Sequence, residues 1–434
     1  MSTATLRDEA TELLRELIRL DTVNPPGNET QAAELLRDYL AESGVEGELL
    51  AREPGRANVV ARIPGTGGGK RLLLLGHTDT VLADPAEWTV DPWSGELRDG
   101  CVWGRGALDM KSQVVANAVA FARLAREGFR PAGDLVFAAT ADEEVGDADV
   151  GLSWLCREHP DAVHAEYCLT EGGGDRTVVA GRPVYLCAVA EKMSSPFLLR
   201  VRGRSGHASM PGIADNALVK AAPLVTRLAE HSPERRLLPE SEAFFSALFG
   251  RVPEPDELAA LVDDLDEPLA GLVEPMLGLS VSPTMIEASR KRNVIPGVCE
   301  VVCDCRLLPG QSQAEAEREL RACLGEGDYE LEWLEGVGGS RSSAATPLFE
   351  AISGWVAREE PGASAAPVML PGFTDSHFLR QAFGTIAYGF FPLRTMSAEL
   401  ASRLVHSADE RIELADLELG TRFVYDLARA LGEV

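Results

Sequence analysis

Apolar residues recur at helical spacing through Leu6, Leu13, Leu14, Leu17, Ile18 and Leu20 until Asn24-Pro25-Pro26-Gly27 breaks the pattern, which predicts a first helix over 6–20. A second helix is expected over 31–42, followed by short strands over 46–52 and 57–63. The Gly-rich stretch from Gly65 to Gly69 is not a phosphate loop: Lys70 is followed by Arg71 instead of Ser or Thr, and a strand instead of a helix comes next. A hairpin turn is the expectation there. The unbroken run Leu72-Leu73-Leu74-Leu75 predicts a buried strand ending at Gly76-His77-Thr78-Asp79. Further on, Val114, Ala118, Phe121, Ala122 and Leu124 predict a helix over 113–127, and strands are expected over 134–139 and 167–170.

Near Phe197 the pattern changes. A strand over 197–201, a helix over 216–229, a helical stretch over 254–265 and strands over 279–286 and 298–307 read as a self-contained α+β module. After Pro309-Gly310 the α/β alternation resumes, with helices over 313–324 and 348–358, a strand over 385–388 and a final helix over 414–431. The expected organisation is therefore an α/β unit built from 1–193 and 308–434, with 194–307 inserted.

Length agrees with two units, since 434 residues exceed the usual single-domain size of about 100–200. Apolar residues make up 45% and charged residues 25%, as in a soluble globular protein, and no apolar run approaches the roughly 18–20 residues that span a bilayer. Met1-Ser2-Thr3-Ala4 lacks a basic segment followed by an apolar one, so no secretory signal is read and a cytoplasmic location is the expectation. A formal net charge of −27 argues against nucleic-acid binding, because a polyanion is repelled at long range. None of the eight cysteines forms a Cys-x-x-Cys pair, and they are expected to be reduced. Cys299, Cys303 and Cys305 alternate with polar residues, which places them with Val301 and Leu307 on the core face of one strand.

The chemistry lies at the ends of the predicted strands. His77 and Asp79 are two residues apart and share a face in an extended segment, so Asp79 can orient the imidazole. Asp109 precedes the 113–127 helix, Glu143 and Glu144 follow the 134–139 strand, and Glu171 follows the 167–170 strand. An α/β sheet with its site beyond the carboxyl ends of the strands presents acids in this way. Glu143 and Glu144 cannot point the same way in an extended segment, so one can bind metal while the other faces substrate.

With a late His406, these residues resemble the metal-dependent aminoacylase, glutamate carboxypeptidase and succinyl-diaminopimelate desuccinylase superfamily. The resemblance runs in order through Gly76-His77-Thr78-Asp79-Thr80-Val81, Gly104-Arg105-Gly106 with Asp109-Met110-Lys111, Asp142-Glu143-Glu144, Glu171 and Gly206-His207-Ala208-Ser209-Met210-Pro211. It continues in Asn293-Val294-Ile295-Pro296, Asp304-Cys305-Arg306, Gly372-Phe373-Thr374-Asp375, Tyr388-Gly389 and His406. It implies an α/β/α catalytic domain with a mixed sheet and an inserted ferredoxin-like α+β domain serving as lid and dimer interface. It also implies two divalent metal ions, zinc first, with cobalt or manganese possible. His77 and Glu171 would hold one ion, Glu144 and His406 the other, and Asp109 would bridge them around a hydroxide, with a cis peptide at Asp109-Met110.

By the same resemblance Glu143 is the general base and Asp79, beside His77, is counted with the catalytic residues, while His207 crosses a homodimer interface to stabilise the oxyanion in the partner's site. Asn293 and Arg306 bind the substrate carboxylate or help hold the oxyanion, and Gly372 makes a backbone contact to substrate. The implied reaction is amide hydrolysis in a small N-acyl amino acid or a dipeptide. A biosynthetic deacylase or amidase acting on another amide, and a non-catalytic metal-binding protein on the same fold, are the alternatives. Met193 replaces a common Gly, and His377 replaces an Arg found in several relatives; His377 is either a substrate contact or an ordinary polar helix position.

Overall fold

The leucine run at 72–75 is buried on both sides because helices cover both faces of the sheet it enters. Leu72 and Leu74 pack with Leu13, Leu17, Val115, Phe121, Leu417 and Phe423, whereas Leu73 and Leu75 pack with Leu152, Leu155 and Leu379 on the opposite face. The computed structural model describes residues 5–179, 181–254, 257–263 and 267–433; Met1–Ala4 and residues 255, 256, 264 and 265 of the expected 254–265 helix lie outside the described residues. The resulting three-layer unit has a nine-stranded mixed sheet. Its order is Gly47–Ala51, Ala57–Ile63, Leu135–Thr140, Leu72–His77, Tyr167–Thr170, Ile386–Gly389, Arg182–Glu191 and Ser364–Leu370, with Arg176–Val179 added to Arg182–Glu191.

Four neighbouring central strands run parallel, in a register that pairs His77 with Thr140 and Gly389 with Thr170. Their carboxyl ends therefore share one edge. The expected hairpin at Gly65–Gly69 is not formed. Strand Leu135–Thr140 lies between the two strands this turn was to join, antiparallel to one and parallel to the other, so the glycines carry the chain past it. Thr66 and Gly67 donate to Pro131 and Ala132 on the way.

The second core is a βαββαβ unit, the ferredoxin-like arrangement. Its elements are Phe197–Arg202, helix Ala217–Ala229, Ser280–Glu287, Val298–Leu307, helix Gln313–Leu324 and Tyr329–Trp333. Asn216 caps the first helix by accepting from Leu218 N. The alternating burial of Val298–Leu307 puts Cys299, Val301, Cys303, Cys305 and Leu307 in this core, and all eight cysteines are free thiols.

The inserted stretch differs from 194–307 in two ways. A βαββαβ unit needs its second helix and fourth strand, and both lie after residue 307: Ala316, Leu320 and Leu324 pack in the second core, and Tyr329–Trp333 pairs with Phe197–Arg202. Conversely, helices Pro239–Phe249 and Glu267–Leu277 leave it, and their Phe244, Phe245, Leu248, Val273, Met276 and Leu277 join the core of the larger sheet. The first and last crossings between the cores lie side by side, where Met193 pairs with Gly338 and Ala190 bridges Arg341. Among the described residues no helix is long and apolar enough to cross a membrane.

Candidate metal centre

His77 is the last residue of its strand and is buried. Its Nδ1 lies 3.0 Å from the main-chain oxygen of Asp79, which can only accept, so Nδ1 donates there and Nε2 faces outward. Nε2 meets carboxylates: Asp109 Oδ1 at 3.2 Å, Glu171 Oε2 at 3.6 Å and Glu143 Oε2 at 3.8 Å. Asp109 stands just before helix Lys111–Arg126, and its peptide bond to Met110 is cis. The other oxygen of Asp109 is 3.1 Å from His406 Nε2, which in turn is 3.2 Å from Glu144 Oε2. One carboxylate thus faces two imidazoles from opposite ends of the chain.

Glu143 and Glu144 do not lie in an extended segment. Residues 143–145 form a turn, and Asp142 before it has a positive φ of 65°, so the strand reading of opposite-facing neighbours is replaced by turn geometry. Asp79 holds this turn: its two oxygens accept from the backbone N–H groups of Glu143 at 3.2 Å and Glu144 at 3.1 Å. The Asp79 carboxylate also stands 3.4 Å from His77 Nδ1, so it orients the two glutamates as well as the imidazole, which the main-chain oxygen of the same residue holds too. Asn24 braces the arrangement by donating from one nitrogen to both Asp79 and Asp142, each at 3.0 Å. Behind it Arg56 is ion-paired with Glu29 and, at 3.4 Å, with Asp142. At Gly389 an added methyl would overlap the main-chain oxygen of Glu171, so the absent side chain fixes where that acid leaves its strand.

The electrostatics show a site short of positive charge. Burial alone would lower the His77 pKa, but the charge of Glu171 and the bonds to Asp109 and Asp79 outweigh it and hold the imidazole well above its ordinary value. Hydrogen bonds to Asp109 and Glu144 raise His406 to about 10. Burial pushes Glu171 up to about 7 and Glu143 well above the carboxylate range, the latter reinforced by the charge of Glu171. For Asp109 burial works the other way from its bonds to His406 and His77, and the bonds win, lowering its pKa.

A divalent ion meets this need, and the donor set fits one: imidazole nitrogen and carboxylate oxygen suit zinc and similar ions. Glu144 Oε1 supplies an independent sign, being buried with no hydrogen-bond partner among the described residues. Ligand-type atoms of His77, Glu143 and Glu171, and of His77, Asp109 and Glu144, fall within 4.8 Å of one another. These sets differ from the expected partition by including Glu143 and joining Glu144 to His77. With so many carboxylates together, proximity alone does not separate a base from ligands, whereas the oxygen-by-oxygen pairing of Asp109 with His77 and His406 does distinguish two positions.

A family model described as peptidase family M20/M25/M40 matches residues 73–430. The chain belongs to this family. Succinyl-diaminopimelate desuccinylase of Cereibacter sphaeroides is 29% identical over 420 residues, covering 94% of either protein. Aminoacylase-1 of Sus scrofa is 27% identical over 433 residues, covering 97% of this chain and 95% of the relative. An M20 family metallo-carboxypeptidase from Sulfolobus solfataricus shares the fold, with a TM-score of 0.71 at 18% identity across 98% of this chain and 100% of that one. This M20 chain is accordingly an amide-bond hydrolase of a metal-dependent family.

The other expected residues of the M20 chain are not among the groups whose donor atoms converge. His207 is exposed in a two-residue strand paired with Val294–Ile295, and its Nδ1 is 2.7 Å from Ser209 Oγ. Asn293 is also exposed, and its main-chain oxygen accepts from Ala208 N at 3.0 Å, which keeps it beside His207. Arg306 forms two 2.9 Å bonds with Asp304. Gly372 has open space among the described residues where a side chain would stand. His377 is buried in the first turn of helix Ser376–Phe383, and its Nδ1 has no hydrogen-bond partner among the described residues.

Two residues to which sequence reasoning gave no role at the site stand near the centre. Asp375 is buried, accepts from Thr140 Oγ1 at 3.1 Å, and burial raises its pKa to about 7 against the pull of His77. Asn24 is the other. Its only sequence signal was the Asn-Pro-Pro-Gly break, which reads as a helix stop.

Proposed function

We propose that this M20 chain hydrolyses the amide bond of a small N-acyl amino acid or dipeptide without a covalent intermediate. The observation that carries the reading is Asp109, with one oxygen toward His77 and the other toward His406. His77 and Glu171 would hold one divalent ion and Glu144 and His406 the other, with Asp109 shared; zinc is the first expectation. When bound, such a pair supplies Lewis acidity toward the carbonyl and lowers the pKa of water.

The chain's own groups do the rest. Glu143 is the general base, taking a proton from the attacking water and delivering it to the leaving nitrogen. Its burial favours this role, because a raised pKa brings a carboxylate toward the operating pH of a proton shuttle. Asp79, through the N–H groups of Glu143 and Glu144, sets where base and ligand stand. His207 donates to the oxyanion of a partner subunit, which its exposure on the ferredoxin-like unit permits. Asn293 beside it and Gly372 contact substrate, and Arg306 reads a substrate carboxylate by exchanging it for Asp304. A cytoplasmic homodimer completes the reading.

Metal quantification combined with a panel of N-acetyl and N-succinyl amino acids and dipeptides tests the proposal on one sample. Two ions per chain and turnover of one class are expected; a fully loaded protein that hydrolyses no member of the panel would point to a non-catalytic metal protein. Within the panel, a carboxylate and carboxamide pair probes Arg306, and equal rates would assign that residue to structure alone.

His207→Ala is expected to lower kcat by about 10²–10³-fold. Mixing it with Glu143→Gln chains should restore activity through hybrid dimers, whose one intact site combines the Glu143 of one chain with the His207 of the other. A monomer with full activity excludes action in trans.

A further inference from the structure

Glu410 lies four residues after His406, is completely buried, and uses both carboxylate oxygens on a single segment. Oε1 accepts from the backbone N–H of Leu108 at 2.6 Å and of Asp109 at 3.0 Å. Oε2 accepts from the backbone N–H of Gly106 at 3.0 Å and from Arg105 Nη1 at 2.7 Å. The main-chain oxygen of Glu410 adds a 2.9 Å bond from Gly104 N. A carboxylate has about four lone-pair sites, and these four donors fill them. Glu410 therefore has no acceptor capacity left for an ion or for a proton in transit, although it stands close in sequence to His406. If its purpose were to neutralise buried Arg105, the guanidinium contact would suffice, yet three of the four donors are peptide groups of the loop that ends in Asp109.

We propose that Glu410 is a positioning residue that locks the His406 segment to the Asp109 loop and so sets the separation of two metal ligands. The assignment rests on Asp109 and His406 acting as ligands, as proposed above. Those two side chains come from positions almost 300 residues apart, on the subtraction 406 − 109 = 297. Neither lies inside a regular element: Asp109 precedes a helix, and His406 follows helix Ala398–Leu404 with a positive φ of 60°. Without a direct tie, each segment would place its ligand independently, and the shared carboxylate needs both at once. The Asp409 side chain, which accepts from Thr89 N and Oγ1 at 2.7 Å each, holds the same segment from its other side.

The test uses Glu410→Gln and Glu410→Asp in the full chain. Gln keeps the size but turns one oxygen into a donor facing donors, and Asp keeps the charge but falls short of the amides. Chelator-stripped protein is titrated with Co²⁺, whose visible absorption reports ligand geometry, and folding of the metal-free chain is followed by circular dichroism. Both variants are expected to fold as wild type, to bind Co²⁺ about 10–100-fold more weakly at one or both positions with an altered spectrum, and to lose kcat with KM little changed.

Wild-type affinity and spectrum in both variants would overturn the proposal, as would loss of the folded metal-free chain in both, which would make Glu410 a purely structural group. A wild-type chain that takes up no Co²⁺ would remove the dinuclear reading as well. Normal uptake by wild type with unaffected variants removes this inference alone.

Discussion

Glu143→Gln is expected to take up the same two metal ions as wild type and to lose about 10²–10⁴-fold in kcat, the usual contribution of a positioned acid–base group. The substitution is nearly isosteric, and the backbone N–H of residue 143 still reaches Asp79, so the turn carrying Glu144 is undisturbed. What disappears is a carboxylate able to hold a proton. Metal analysis and steady-state kinetics on one preparation check both halves. Unchanged turnover would remove Glu143 from the chemistry, and loss of one ion would make it a ligand, as its 3.8 Å approach to His77 Nε2 allows.

Asp109→Asn should behave in the opposite way, losing metal together with activity. The aspartate presents Oδ1 to His77 and Oδ2 to His406, but an amide has only one oxygen to offer, and its NH₂ group would face an imidazole or a cation. Uptake is expected to fall from two ions to one or none. With a Lewis acid worth several kcal/mol of transition-state stabilisation, kcat is expected to fall on the order of 10³-fold or more. Metal content by elemental analysis decides it: two ions at wild-type affinity in Asp109→Asn would show that the carboxylate is not shared. The two variants separate the proposed roles: the first is expected to keep the ions and lose the proton carrier, the second to lose the shared ligand.

Much of the site was legible because it is built at strand ends. An apolar run followed by His77, Glu143 or Glu171 declares both a strand and the edge where its polar residue emerges, and parallel pairing then gathers those edges. The turn at Glu143 was not legible. Its course depends on the positive φ of Asp142 and on distant N–H bonds to Asp79, neither of which leaves a periodic trace. Asn24 and Asp375 were passed over for the same reason, each acting through partners far away in the chain.

In the fold, helix Gln313–Leu324 was placed at its observed limits yet given to the wrong core. An amphipathic helix announces that it will cover something, and its pattern is the same whichever sheet it covers. Strands Arg182–Glu191 and Ser364–Leu370 went unmarked although each carries an apolar run; Pro183 in the first and Pro367 in the second weaken the strand signal.

The exchange of helices between the cores bears on how such a chain can be taken apart. Phe244, Phe245, Leu248, Val273, Met276 and Leu277 are encoded inside the insertion but shield Ala366 and Val368 on the larger sheet, while Ala316 and Leu320, encoded after it, fill the smaller unit. Neither portion is a removable cassette. Excising residues 194–307 would strip the Ser364–Leu370 edge of the large sheet of its cover and leave helix Gln313–Leu324 without the strands it rests on, so the two bodies must be engineered as one interleaved piece.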